Sequence, residues 1–113
     1  MKKDKIYKKS ASEFTELVPT MGSCLASDKI TVDGELVDYM YREAPSNNVD
    51  CGWRFFSGSE TQEYVDNADN SAFYHVNTIA NCDPAIIPYL HLPIGVELER
   101  VIGSDIFKII DTN

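Results

Sequence analysis

The chain has 113 residues, of which 43% are hydrophobic and 25% charged, as expected for one globular domain that folds without metal or disulfide staples. Its formal net charge of −8 is unevenly distributed, because the first nine residues carry +4 and residues 10–113 carry −12. An acidic body of this kind disfavours nucleic acid and anionic membranes as partners and favours basic protein surfaces, although acidity can also serve solubility alone.

The ends of the chain and its cysteines give the first expectations. Residues 1–9 are predicted to form a basic flexible tail, and residues 10–113 a single domain. No apolar stretch follows the lysines and no run is long enough to cross a bilayer, which argues against a signal peptide and a membrane anchor. Cys24, Cys51 and Cys82 include no CxxC pair, so free thiols in a cytoplasmic protein are expected, without disulfides or structural zinc.

The first half of the domain predicts one helix and three strands. Residues 10–13 match a capping box, which would open a helix that ends at Pro19. Residues 24–30 predict a strand. Residues 36–43 alternate in polarity, and with residues 53–56 they predict an antiparallel hairpin joined by a long polar loop.

The second half predicts short elements only. They are, in chain order, a capped helix over 59–65, a polar turn over 66–70, a strand over 73–76, a helical turn over 77–81, a short helix from Asp83-Pro84, and strands over 96–101 and 106–110. Together the two halves predict an α+β fold, with an antiparallel sheet and short helices packed on one face.

No catalytic or metal-binding pattern is present in the sequence. His75 and His91 are the only histidines, and neither has a metal-ligand spacing, a nucleophile elbow or a glycine-rich phosphate loop nearby. Cys51 lies in a turn beside Asp50, but no histidine partner for it can be identified. Residues 66–70 lack the spacing of a calcium loop. The chain is therefore predicted to be neither an enzyme nor a cofactor-binding or metal-binding protein.

Two arginines stand out within aromatic-rich strands. Arg42 and Arg54 could stack on aromatic rings or bind carboxylates of a partner. An internal ion pair with Glu43 or Glu60 is the alternative explanation. The aromatic residues of the second hairpin strand are predicted to lie in the core: Trp53, Phe55 and Phe56.

These stretches resemble a bacterial family first catalogued as a domain of unknown function and later named immunity protein family thirty-three. The resemblance covers about residues 21–101, and its most specific block is Gly-Trp-Arg-Phe-Phe-Ser-Gly at 52–58. The further residues that carry it are Cys24-Leu25-Ala26-Ser27, Tyr39-Met40-Tyr41-Arg42-Glu43 with Pro45, Asp50-Cys51, Glu60, Asn77-Thr78-Ile79-Ala80-Asn81, Asp83-Pro84, Ile87, Tyr89-Leu90 and Glu99-Arg100. The family is assigned to neutralising toxins of bacterial polymorphic toxin systems. The resemblance implies that role, a structural motif that includes Arg42, Trp53, Arg54, Phe55 and Gly58, and no catalytic residues.

Two hypotheses of function remain open from the sequence. The first is an immunity protein that binds a toxin by surface complementarity, with a basic toxin surface as the expected partner and no nucleic acid or membrane. The second is a small-ligand-binding or hydrolytic domain with a cleft near Trp53, Arg54, His75 and Cys51, which would require those residues to meet in one pocket.

The candidate partner contacts are acidic residues of two segments that are exposed by composition, the loop 45–50 and the segment 60–69. Carboxylates there could occupy the place of substrate phosphates in a nuclease-like toxin. They are Asp50, Glu60, Glu63, Asp66 and Asp69.

Overall fold

A computed structural model describes residues 5–110. Within that range one mixed sheet organises the domain, with the strand order β4-β1-β3-β2-β5-β6. The strands are β1 (Ser23–Ser27), β2 (Tyr39–Arg42), β3 (Asp50–Phe56), β4 (Ser71–His75), β5 (Glu97–Arg100) and β6 (Phe107–Ile109). The predicted α+β class is confirmed.

The helices are all short. The α-helices are α1 (Asp28–Thr31), α2 (Gln62–Asp66) and α3 (Val76–Cys82), and 3-10 helices span Ala11–Glu13, Ala68–Asn70 and Pro84–Tyr89. Asp83 opens the last of these as predicted, since its carboxylate accepts a hydrogen bond from the Ala85 amide at 3.2 Å.

The predicted hairpin is confirmed, because β2 and β3 pair antiparallel from Tyr39 opposite Phe56 to Arg42 opposite Trp53. One pairing differs from the fully antiparallel expectation. β1 runs parallel to β3, because the chain leaves β1 through α1 and returns through β2 in the opposite direction before it forms β3. The strand pairs at both ends of the sheet are antiparallel.

The predicted helix between residues 10 and 19 is wrong beyond its first turn. The capping contact forms, with the Ser10 amide donating to the Glu13 carboxylate at 2.9 Å, but only a 3-10 turn follows. Side chains of α3 then bind the extended backbone: Asn81 accepts from the Thr15 amide at 3.0 Å, and Asn77 accepts from the Leu17 amide at 2.7 Å. These tertiary hydrogen bonds replace those that a helix would form within itself.

The predicted strand over 24–30 is shorter than expected. It ends at Ser27, whose hydroxyl accepts a hydrogen bond from the Lys29 amide at 3.1 Å and so caps α1. α1 carries Ile30 into the core. A serine that caps a helix competes with continuation of the strand.

The core lies between one face of the sheet and the helices α1, α3 and Pro84–Tyr89. Trp53 and Phe55 are fully buried, as predicted, and the Trp53 indole donates to the Leu90 carbonyl at 3.1 Å. Phe56 is only half-buried, because successive residues of a strand point to opposite faces. This alternation divides the aromatic residues of β3 between the core and the other face of the sheet.

The N-terminal segment lies against α1. The Lys8 amide donates to the Thr31 carbonyl at 2.8 Å, and Lys5 pairs with the buried Asp28 at 2.9 Å. Residues 1–4 of the predicted flexible tail fall outside the described residues.

Candidate interaction surface

The face of the sheet opposite the core, which we call the open face, carries two cross-strand rows of side chains. The pairing of β4, β1, β3, β2 and β5 sets the first row, and the pairing of β3, β2, β5 and β6 sets the second. The first row is Phe73, Leu25, Arg54, Tyr41 and Glu97, and the second is Phe56, Tyr39, Glu99 and Lys108. Within residues 5–110, α2 is the one α-helix on this side of the sheet. Its residues Tyr64 and Val65 line a small cavity of about 50 Å³ together with Leu25 and Phe56 of the sheet.

Three half-buried rings form an aromatic cluster at the middle of the open face. The ring centroids of Tyr39 and Tyr41 are 5.6 Å apart, and those of Tyr41 and Phe56 are 6.2 Å apart with an interplanar angle of 8°. Together with Gly58, Glu60 and Val65, the cluster lines an open cavity of about 360 Å³, the aromatic groove. The groove therefore combines three aromatic rings with one carboxylate.

More carboxylates border the aromatic cluster on the β5 side. Burial, followed by the nearby Glu97 carboxylate as acceptor and charge, raises the pKa of Tyr39 to about 12. Glu99 lies opposite Tyr39 and is half-exposed, with its carboxylate 3.6 Å from Lys108 Nζ. The tyrosine hydroxyls thus remain protonated donors throughout the neutral range.

Arg54 anchors the other side of the cluster from within the sheet. Its guanidinium makes a two-bond contact with Asp50, with N–O distances of 2.9 and 2.7 Å, and donates to Glu43 at 2.6 Å. It also lies 5.8 Å from the Phe73 ring centroid. The predicted internal ion pair with Glu43 is therefore present, whereas Arg42 donates to the Cys51 and Leu92 carbonyls at 2.9 and 2.7 Å.

Asp50, one of the candidate partner contacts, has a side chain that is 0% exposed. Besides Arg54 it accepts hydrogen bonds from the Ser46 amide and hydroxyl and from the Gly52 amide. The Arg54 guanidinium, followed by these donors, holds the pKa of Asp50 far below its usual range. Asp50 thus fixes Arg54 from beneath and offers no oxygen to solvent.

Glu60 is half-buried and lines the aromatic groove. Its carboxylate accepts hydrogen bonds from the Ser57 and Gly58 amides, each at 2.9 Å. The pKa of Glu60 is lowered overall: burial acts to raise it, but these amides and further hydrogen bonds outweigh that effect. The N-cap of α2 is accordingly Thr61, which accepts from the Tyr64 amide at 3.1 Å, two residues beyond the predicted capping serine.

Gly58 gives the loop before α2 its shape. Its φ of +87° lies in the left-handed region, and an added Cβ would come within 2.8 Å of an Asp38 carboxylate oxygen. A residue with a side chain would therefore be strained there. This explains why the motif has a glycine in the turn between the end of β3 and Glu60.

The remaining acidic candidates lie on and after α2. Glu63 and Asp66 are exposed, and Asp69 is half-buried. Asp66 accepts a hydrogen bond from the Gln62 side chain at 2.8 Å. The acidic set predicted from sequence therefore divides into a buried residue, a groove-lining residue and three residues beside the groove.

The sequence analysis did not identify Tyr39, Tyr41, Glu97 and Glu99 as site residues. The alternation over residues 36–43 placed the two tyrosines on one face, but nothing in it showed which face the helices would leave open. The two glutamates are adjacent to the tyrosines only through the pairing of β2 with β5. The location of these four residues together on the open face is therefore determined by the tertiary structure.

The residues of the predicted alternative cleft do not meet in one cavity. Trp53 is on the core face and Arg54 on the open face, and the exposed His75 lines a separate cavity of about 300 Å³. Cys51 is buried, and burial raises the pKa of its thiol, which disfavours the thiolate that a nucleophile requires. Within residues 5–110, no group of three or more histidine, cysteine or acidic side chains could hold a metal ion.

A small α+β domain with an exposed aromatic groove bordered by carboxylates has the surface composition of a protein-interaction module. Residues 24–110 match the family model described as the Immunity protein Imm33 domain. The chain belongs to this family, since the match covers most of its length, and an immunity role in general terms follows. No curated protein sequence and no solved structure matches the chain. None of the helices in the described part of the chain is long and apolar enough to cross a membrane.

Proposed function

We propose that this protein neutralises a bacterial protein toxin by binding it directly through the open face, in the cytoplasm and without catalysis. The observation that carries the proposal is the aromatic groove, an open cavity of about 360 Å³ on the open face of the sheet. Membership of the Immunity protein Imm33 domain family supports the role, and the groove supplies a place for the contact.

The aromatic cluster has the properties of an interface centre. Tyrosine and other aromatic side chains are enriched among the residues that dominate binding energy, since they present a large rigid area with a polar tip. Tyr39, Tyr41 and Phe56 are half-buried in the free domain, so they lose little conformational freedom when a partner covers them. A partner that covers the cluster gains apolar burial at a low ordering cost.

The acidic residues beside the groove favour a basic toxin surface. Glu63 and Asp66 are exposed on α2, and Glu97 and Glu99 lie on the opposite side of the aromatic cluster. Carboxylates on both sides give the open face a negative potential that accelerates association with a basic partner. In this proposal Glu60 and Asp69 contribute to the same field, and Asp50 acts indirectly by fixing Arg54.

The proposal is tested by co-expressing the chain with a candidate toxin, the protein encoded by the gene adjacent to its own. Wild-type protein is expected to restore growth and to bind the purified toxin. Tyr41→Ala should weaken binding at least about tenfold, which corresponds to about 1.4 kcal/mol and is typical of an interface anchor. Thr20→Ala, a change at an exposed position away from the open face, is the control. Rescue by Tyr41→Ala with unchanged affinity would contradict the proposed surface, and failure of the wild-type protein to bind would contradict the proposed function.

The electrostatic part has its own test in the association rate. Glu63→Gln is compared with Glu16→Gln, and each change removes one exposed carboxylate. A combined variant that neutralises four acids should slow association further: Glu60, Glu63, Asp66 and Asp69. Association with the toxin should slow for Glu63→Gln and remain unchanged for Glu16→Gln. The wild-type rate should fall as salt rises, because the Debye length is about 10 Å at 0.1 M salt. Equal rates and equal salt slopes for wild type and the combined variant would exclude steering by these acids.

A further inference from the structure

We infer that the aromatic groove receives an arginine side chain of the toxin, with its guanidinium over the aromatic cluster beside the Glu60 carboxylate, and with the Glu97 carboxylate on the β5 side of the cluster. This inference rests on the proposed function and adds the chemistry of the residue that enters the groove. It concerns a basic segment of a protein partner as the one occupant of the open face.

The chain's own arginines show a repeated pattern. Arg42, Arg54 and Arg100 are the only arginines in the sequence. Their guanidinium carbons lie 5.7, 5.8 and 4.8 Å from the centroids of the Trp53, Phe73 and Phe107 rings. Each guanidinium also donates to carbonyl or carboxylate oxygens. In this fold an arginine is held by an aromatic ring together with oxygen acceptors.

The aromatic groove offers the same two elements without the cation. Tyr39, Tyr41 and Phe56 supply the rings, and Glu60 supplies a carboxylate that lines the groove. Glu97 lies opposite Tyr41 on the neighbouring strand. Among residues 5–110 the cations that lie over aromatic rings are directed at other rings, including Lys29 over Tyr64 at 5.1 Å. A cation from outside the described chain would therefore complete the pattern.

The geometry favours a guanidinium over an ammonium or an apolar group. The Tyr41 and Phe56 rings are nearly parallel, at 8°, and a planar guanidinium can stack on the face of an aromatic ring. Its N–H donors lie in the plane of the group, so it can bind a carboxylate at its edge while its face stacks on a ring. An apolar side chain would take the charged Glu60 out of water without adding an opposite charge, and burying a charge without a counter-charge is costly.

The test uses short peptides and the full chain, so it needs no toxin. Hexa-arginine amide and hexa-lysine amide are titrated into isotope-labelled protein, and backbone amide shifts are followed by NMR. Shifts should concentrate in residues 39–43, 54–60 and 97–99, and the arginine peptide should bind more tightly. Tyr41→Leu should weaken its binding about 3- to 10-fold, the size of a partly exposed cation–π contact. Glu97→Gln should also weaken it, because it removes a carboxylate beside the aromatic cluster.

The control is again Glu16→Gln, which removes one negative charge, as Glu97→Gln does, but lies away from the groove. Shifts spread over the whole acidic surface, or equal weakening by Glu16→Gln and Glu97→Gln, would overturn the inference. Equal affinity for the two peptides would overturn the assignment of a guanidinium.

The outcomes separate the inference from the proposed function. If the arginine peptide binds in the groove but the neighbouring toxin does not bind the protein, the function fails and the cation preference of the groove stands. If Tyr41→Leu abolishes toxin binding while the peptide shifts lie elsewhere, the surface is right and the occupant is wrong.

Discussion

Replacing Asp50 with asparagine tests whether this residue holds the sheet together or contacts a partner. The change keeps the shape of the side chain and removes its charge. Asp50 lies in a fully covered site with hydrogen-bond donors on both oxygens, from Ser46, Gly52 and Arg54. An amide would direct two N–H groups at these donors and would leave Arg54 without its main counter-charge.

The expected loss of unfolding free energy is about 3 kcal/mol. Breaking a buried ion pair by removing one partner typically costs about 3–5 kcal/mol, because the remaining charge is left uncompensated. The lower end applies here since Arg54 keeps Glu43, whose carboxylate is 2.6 Å away and half-exposed. A folded domain of this size has about 5–15 kcal/mol of stability, so the variant should still fold.

Urea titration of wild type and Asp50→Asn measures the loss, and its pH dependence gives an independent check. The folded-state pKa of Asp50 is depressed, so its stabilising contribution is fully present above the unfolded value of about 3.9 and is lost as the pH falls toward the folded value. The difference between the two proteins should be constant between about pH 5 and 7 and should narrow below about pH 4. Asp66→Asn, the same change at an exposed site, should stay within about 0.5 kcal/mol of wild type.

A loss below about 1 kcal/mol, with no narrowing in acid, would refute the argument that the pair is buried and structural. If toxin binding fell sharply at the same time, Asp50 would return as the direct partner contact predicted from sequence. If Asp50→Asn loses much of its unfolding free energy while the folded protein keeps its affinity for the toxin, Asp50 supports the sheet and does not contact the partner.

Three further outcomes are expected. Trp53→Ala should destabilise the domain by about 3–5 kcal/mol in denaturant titration, because it removes a fully buried ring and the hydrogen bond to the Leu90 carbonyl; a change below about 1 kcal/mol would contradict its place in the core. Gly52→Ala should lower the melting temperature strongly, since φ is +94° and the new Cβ would collide with the Glu43 carbonyl oxygen; an unchanged melting temperature would show that the loop adapts. Chelator or reductant should leave the melting temperature unchanged, since the three cysteines are free in the structure; a large decrease with either reagent would reveal a metal or a disulfide that supports the fold.

Local sequence chemistry determined much of the fold. Alternation over residues 36–43 and 53–56 and the polar loop between them gave the β2–β3 hairpin. Asp83-Pro84 gave a helix start at the right position. These features act between near neighbours in the chain, so a pattern of a few residues is sufficient to specify them.

The same local patterns failed where distant side chains compete for the backbone. The capping box at residues 10–13 formed, but Asn77 and Asn81 bind the following backbone and keep it extended. The capping box at residues 59–62 shifted, because Glu60 accepts the amides of the preceding loop. In both places polar groups form hydrogen bonds as the sequence predicts, but some of their partners differ from those of a regular capped helix.

The sequence alone determined the acidic body, the hairpin with its aromatic strands and the family motif, because composition and short-range pattern are properties of the chain itself. The tertiary structure alone decided the parallel β1–β3 pair and the side of the sheet that stays open. Strand pairing across the sheet also places Glu97 beside Tyr41, residues that are far apart in the chain. The aromatic groove therefore depends on long-range pairing and on which face the helices cover, and neither is encoded in the spacing of neighbouring residues.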